Sequence, residues 1–135
     1  MHVPLPTGVS RARVATLALP PLLLMALIWF LSSLPDLTTG LGLADLIGRK
    51  MIHGLTFGLL TVLWWRALRP TLPAGALPAA AVIATAYAGL DEYHQTFVPG
   101  RVGSPVDVAI DALGVVAAAV LVVRRLQRAP DVAPR

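Results

Sequence analysis

The chain contains no cysteine, which excludes a disulfide framework, a thiolate metal site and a cysteine nucleophile. Charge is scarce as well: Asp, Glu, Lys and Arg make up 13% of the 135 residues, against 56% hydrophobic ones. A soluble domain carries about 25% charged and about 45–50% apolar residues, and so short a chain has too little interior to hide the excess. The mean hydropathy of +0.74 therefore argues against a soluble globular domain. It also excludes disorder, which needs low hydrophobicity and high net charge. Three catalytic or nucleotide-binding motifs are missing too: H-E-x-x-H, a phosphate-cradling glycine loop and a G-x-S-x-G elbow. No cofactor and no metal are expected on motif grounds.

What the chain does have is four apolar stretches separated by short polar ones, without room for a separate soluble domain. They predict an all-α fold: an integral membrane bundle of four transmembrane helices at about 14–34, 44–68, 76–95 and 105–123, close to the roughly 20 residues a span needs. Residues 1–13 and 124–135 remain as cytoplasmic tails around a membrane domain of 14–123. Pro20 and Pro21 are expected to kink the first helix rather than end it. A cleaved signal peptide is the rival for that stretch, with Arg11 and Arg13 ahead of it and Ser32-Ser33 behind. Its apolar run is longer than the usual core of about 7–15 residues, which favours a retained span. In the second stretch Asp45 and Arg49 can pair at i, i+4, and Trp64-Trp65 beside Arg66 reads as an interfacial anchor. Pro70, Pro73 and Gly75 mark a turn, and residues 98–105 a loop.

The charges divide by side. With four spans, one side holds Arg11, Arg13, Arg66, Arg69, Arg124, Arg125, Arg128 and Arg135 with one acid, Asp131. The other side holds Arg49, Lys50 and Arg101 together with Asp36, Asp45, Asp91, Glu92, Asp107 and Asp111. Lys and Arg of short loops stay in the cytoplasm, so both termini are expected on the cytoplasmic side of a cell membrane and the acidic loops outside. The pI of 10.7 then reflects topology and attraction to membrane lipid, and no nucleic-acid partner is expected.

Several ionisable residues fall below the membrane surface. Asp111 lies twelve residues from Val123 at the inner boundary, or about 18 Å at the helical rise. In a hydrocarbon core of about 30 Å that is roughly 12 Å beneath the outer edge. The same count puts His53 about 20 Å out, and Asp91 and Glu92 about 22–24 Å out. Three helices thus bring ionisable groups to a similar depth, where they are costly unless paired or facing a watered cavity. Helical spacing puts Lys50, His53 and Phe57 on one face of the second helix. Tyr87, Asp91, His94 and Gln95 share a face of the third, with Glu92 one position round. On the fourth, Ser104, Asp107, Asp111 and Gly114 form a stripe, in which Gly114 allows close helix approach. Facing one another, these stripes would make an outward-opening polar cavity, with Arg101 on the loop between.

Each residue also has a structural reading. Ser104-Pro105-Val106-Asp107 fits a helix start, with Ser at the N-cap and Pro at N1. Asp111 can be interhelical glue, Lys50 can snorkel to the headgroups, and His53 can be a hydrogen-bonded core residue. The functional readings are general acid–base chemistry by His53 and Glu92, a divalent metal on carboxylates and histidines, or capture of an anion by Lys50 and Arg101. Asp91, Gln95, Ser104, Asp107 and Asp111 complete the candidate ligand-binding set. An outer-leaflet lipid or a lipid-linked wall precursor is the partner such a site would meet, and a small proton-coupled transporter remains a third class.

The run Leu90-Asp-Glu-Tyr-His-Gln-Thr-Phe-Val-Pro-Gly-Arg101, followed by Ser104, Asp107 and Gly114, closely resembles the signature of VanZ-like membrane proteins, and Lys50-x-x-His53 with Phe57 resembles their upstream motif. The resemblance covers about residues 32–123 and implies a site of Lys50, His53, Glu92, Gln95, Arg101, Ser104 and Asp107. Two positions depart from the family pattern: Arg49 stands where an acid usually precedes the lysine, and Asp111 where an asparagine is usual. The founding member is associated with low-level resistance to teicoplanin, so the resemblance implies an outward-facing envelope role. It supplies no reaction.

Overall fold

A computed structural model of the chain describes residues 10–35 and 40–128. These form four helices: α1 (Arg11–Ser32), α2 (Leu43–Leu68), α3 (Ala76–Gln95) and α4 (Pro105–Arg128). His2, Asp36, Asp131 and Arg135 lie outside the described residues. Ser10 starts α1, its side chain accepting the Arg13 N–H at 3.2 Å, a cap that stabilises by about 1 kcal/mol. Pro20 and Pro21 sit inside α1 without ending it. Pro105 takes the first position of α4, where its missing N–H costs nothing.

Three helices, α1, α2 and α4, are long and apolar enough to cross a membrane. The 20 residues of α3 extend about 30 Å, but its last turn carries Asp91, Glu92, His94 and Gln95, which lowers its apolar content. The expectation of four spans is thus met on length and apolarity by three.

Packing centres on α2, which contacts each of the other helices, while α4 also packs on α3 and α1 also reaches α3. The core joins Ile28, Phe57, Leu60, Ala84, Tyr87, Ala88 and Val115. In α3 the buried positions Ala76, Ala80, Ala84 and Ala88 recur every fourth residue, a stripe of minimal side chains that lets the backbone sit close to its neighbours. Against lipid, burial of Phe57 or Leu60 gains little transfer energy, because the tails are as apolar as the core. Close packing and interhelical hydrogen bonds hold such a bundle instead. One such bond runs from the Tyr87 hydroxyl to the Met25 carbonyl at 2.7 Å. The outward faces are correspondingly apolar, with Leu23, Phe30, Leu55, Val82 and Leu113 all exposed. At the far end of α2 the Arg69 guanidinium lies 4.8 Å from the Trp65 ring centroid. This cation–π contact uses Arg69 where the sequence pointed to Arg66.

Candidate functional site

The alanine stripe of α3 turns polar in its last turns, where Asp91, Glu92 and Gln95 follow Ala88 at helical spacing and are all buried. Buried charge is tolerated only with partners, and these come both from α3 itself and from other elements. Gln95 Nε2 donates to Asp91 Oδ2 at 3.0 Å and to Glu92 Oε1 at 3.3 Å. Ser32, at the end of α1, donates to Asp91 Oδ2 at 2.9 Å. Glu92 Oε2 accepts the Ser104 backbone N–H at 2.8 Å, so this carboxylate holds the start of α4. The loop must lie flat on α3 for that bond: a Cβ at Gly103 would stand 2.5 Å from the Glu92 carbonyl oxygen.

Helices α2 and α4 run side by side in matching register. Lys50 pairs with Asp107, and one turn on His53 Nδ1 lies 3.8 Å from Asp111 Oδ2. Below these pairs the two backbones nearly touch, for a Cβ at Gly114 would fall inside the van der Waals shell of the Gly54 carbonyl oxygen. Gly58 continues the seam, with its would-be Cβ 3.0 Å from the Gly114 carbonyl oxygen. The expected role of Gly114 is thus met, and its partners are Gly54 and Gly58.

Arg101 ties the loop to α1. Its Nε donates to the Leu34 carbonyl at 2.8 Å, its Nη2 to the Leu31 carbonyl at 3.2 Å and its Nη1 to Gln95 Oε1 at 3.3 Å. The carbonyls that end a helix lack intrahelical partners and carry partial negative charge, so a guanidinium suits this position.

A cavity of about 170 Å³ opens at this end of the bundle, lined by Leu46, Arg49, Lys50, His53, Glu92, Gln95, Arg101, Val102, Asp107 and Ile110. Its mouth is cationic, with the Arg49 and Lys50 side chains 39% and 31% exposed. Its floor is anionic, with Glu92 6% exposed and Asp91 and Asp111, at 1% each, buried beneath it. Among the described residues at this end, five carboxylates, Asp45, Asp91, Glu92, Asp107 and Asp111, stand against three fixed cations, Arg49, Lys50 and Arg101. Asp45 and Arg49 form the expected pair at 3.3 Å. Among the described residues His53, Glu92 and Asp111 also make a possible metal-holding group, each offering a ligand atom within 4.8 Å of the others.

Of the sequence-predicted residues, Lys50, His53, Glu92, Gln95, Arg101 and Asp107 line the cavity. Asp91 and Asp111 lie behind it, and Ser104 reaches it through Glu92. His94 points elsewhere: its ring stacks on Trp29 at 3.8 Å between centroids and its Nε2 is 2.9 Å from the Ser33 hydroxyl. Phe57 continues the face of Lys50 and His53 downward but is part of the apolar core. Ser32 joins the site through Asp91, a role that a serine beside Ser33 does not reveal in the sequence. Arg49, which the sequence marks as the partner of Asp45 and as a departure from the family pattern, also lines the cavity.

A bundle with three apolar helices of spanning length, its polar side chains gathered at one end around a cavity, defines a helical membrane protein with an end-on polar site. The chain matches the VanZ/LLP1 family model over residues 7–126 and belongs to that family. No curated protein and no solved structure matches it.

Proposed function

We propose that this VanZ/LLP1 membrane protein crosses the bacterial cytoplasmic membrane four times with both termini inside, and holds the anionic headgroup of a cell-envelope lipid or lipid-linked wall precursor in its outward-facing cavity. The observation that carries this reading is the cationic mouth set among apolar side chains: Arg49, Lys50 and Arg101 line the cavity beside Leu46 and the 87% exposed Val102. Lipid tails would cover that apolar surface while the cations meet phosphate or carboxylate. The orientation rests on Arg11, Arg13, Arg66, Arg69, Arg124, Arg125 and Arg128 lying away from the cavity end, as cytoplasmic residues do. A fourth crossing by α3 is supported by the cover over its polar turn: Asp91, Glu92 and Gln95 are buried by protein, which removes the main cost of placing them at membrane depth.

A catalytic version has a specific observation behind it. His53, with Asp111 at 3.8 Å, shares the cavity wall with Glu92, and an imidazole and a carboxyl on one cavity can divide general acid and base roles. In that version His53→Ala and Glu92→Gln leave ligand capture intact and abolish turnover. Action on wall precursors at the outer leaflet would extend the role to glycopeptide resistance, teicoplanin included.

Native mass spectrometry of the protein released from membranes tests the binding reading. The wild type retains an anionic envelope lipid or lipid-linked precursor, and Arg49→Gln with Lys50→Gln lowers its retention about tenfold, the worth of one charge-assisted contact. Equal retention by both proteins would refute it. Deletion of the gene should also change the pool of wall precursors and teicoplanin susceptibility, restored by the wild-type chain.

A further inference from the structure

We propose that the floor of the cavity is a binding site for a first-row divalent cation, Zn²⁺ or Mn²⁺, with His53, Glu92 and Asp111 as its protein ligands. This goes beyond the headgroup reading and does not rest on it. Three helices supply the set, His53 from α2, Glu92 from α3 and Asp111 from α4, and their ligand atoms lie within 4.8 Å of one another. Asp111 supplies the independent sign of a missing partner. It is 1% exposed, and neither carboxylate oxygen has a hydrogen-bond partner. The nearby His53 Nδ1, at 3.8 Å, stands beyond hydrogen-bond range. A buried carboxylate left in that state is strongly unfavourable.

The charges point to a cation of the same valence. Asp45 is matched by Arg49 and Asp107 by Lys50, which leaves Asp91, Glu92 and Asp111 against Arg101. Among the described residues the carboxylates at this end thus outnumber the fixed cations by two, a surplus that one divalent cation would match. Asp91 Oδ2 is held by Ser32 and Gln95, and its Oδ1, although also without a hydrogen-bond partner, is not in the group of His53, Glu92 and Asp111 whose ligand atoms come within 4.8 Å of one another. Glu92 is oriented for the task, since Gln95 and the Ser104 N–H each occupy one site on its two oxygens and leave a lone pair on each. Outer partners of this kind aim metal ligands.

Bonds of about 2.1 Å in a tetrahedral site put ligand atoms roughly 3.4 Å apart. The widest spacing here, 4.8 Å, must therefore close by a little over an ångström, which rotation of the His53 and Glu92 side chains on the cavity wall can supply. Water or substrate would complete the coordination from the cavity side. An imidazole with two carboxylates and no thiolate suits Zn²⁺ or Mn²⁺ better than Cu(I), and it offers too few oxygens for Ca²⁺.

The test is isothermal titration of Zn²⁺ and Mn²⁺ into the full chain, stripped with chelator, in a zwitterionic detergent free of anionic lipid, with metal content measured after dialysis. One equivalent of at least one of the two ions should bind per chain. Asp111→Asn, which keeps the side-chain shape, and His53→Gln should each weaken binding at least tenfold, since even outer partners of metal ligands cost that much. His2→Gln and His94→Gln, which remove the other two histidines, should bind as the wild type does. The proposal is overturned if neither ion binds stoichiometrically, if Asp111→Asn binds as tightly as the wild type, or if either control loses the site.

Discussion

Adding one methyl group at Gly114 should damage both the bundle and its polar site. A Cβ there would overlap the Gly54 carbonyl oxygen, which is held in its own helix and cannot rotate away. Helices α2 and α4 would have to separate, at the overpacking cost of about 1–3 kcal/mol. The opposite substitution is gentler although the two glycines face each other: a Cβ at Gly54 meets the Ile110 carbonyl oxygen at 3.4 Å, an ordinary contact. Gly89, inside α3, has nothing within 4 Å of its would-be Cβ, so Gly89→Ala should stabilise by about 0.5–1 kcal/mol through helix propensity. Both glycines are helix-interior and gain the same propensity, so Gly114→Ala and Gly89→Ala should differ by the overpacking cost of about 1–3 kcal/mol in unfolding free energy, with Gly54→Ala between them. The separation also pulls His53 from Asp111, since these residues flank the seam. Denaturant titration of the three variants in bicelles reads the order directly. Equal stability of Gly114→Ala and Gly89→Ala would refute the close approach of α2 and α4.

Two more perturbations separate the ties at the cavity end from those in the core. Arg101→Gln removes a charged donor from the Leu31 and Leu34 carbonyls and from Gln95, and should cost about 2 kcal/mol. Hydrogen exchange should quicken at residues 31–35 and 98–104 and stay slow in the middle of α2, whereas uniform quickening would contradict a local clamp. Tyr87→Phe deletes the bond to the Met25 carbonyl. A loss of about 0.6 kcal/mol or somewhat more is expected, the usual worth of an interhelical bond in lipid, and a double-mutant comparison with Arg101→Gln should be additive because the two ties are independent.

Much of the site was legible because depth and face are both sequence properties. Counting from the inner boundary placed His53, Glu92 and Asp111 at one level, and helical spacing assigned each a face. The structure brings those three together. The Lys50–Asp107 pair is not among the sequence's own readings, since snorkelling fits Lys50 as well as an ion pair does and only the register of α4 against α2 decides. What periodicity does not contain is the identity of the partner across space. Arg101 looked like a free fork for an anion, yet its acceptors include backbone carbonyls 67 and 70 positions away, and carbonyls leave no mark in a sequence. Ser32 was hidden for a similar reason, as its chemistry depends on Asp91 arriving from another helix. Gly114 was recognisable as a close-approach residue, but Gly54 and Gly58 look like any helical glycines until the crossing point is known. The polar turn of α3 shows the converse limit. Its side chains lower the apparent tendency of that helix to cross a membrane while being buried by its neighbours.

The outward-facing cavity has one most direct test, which the absence of cysteine makes simple. Val102→Cys places a thiol at the exposed mouth, and Ala74→Cys places one in the exposed turn between α2 and α3. Labelling intact cells with a membrane-impermeant maleimide should modify Val102→Cys at once and Ala74→Cys only after the membrane is broken. Labelling of Ala74→Cys in intact cells with Val102→Cys protected would place the cavity on the cytoplasmic side and contradict an envelope-facing site.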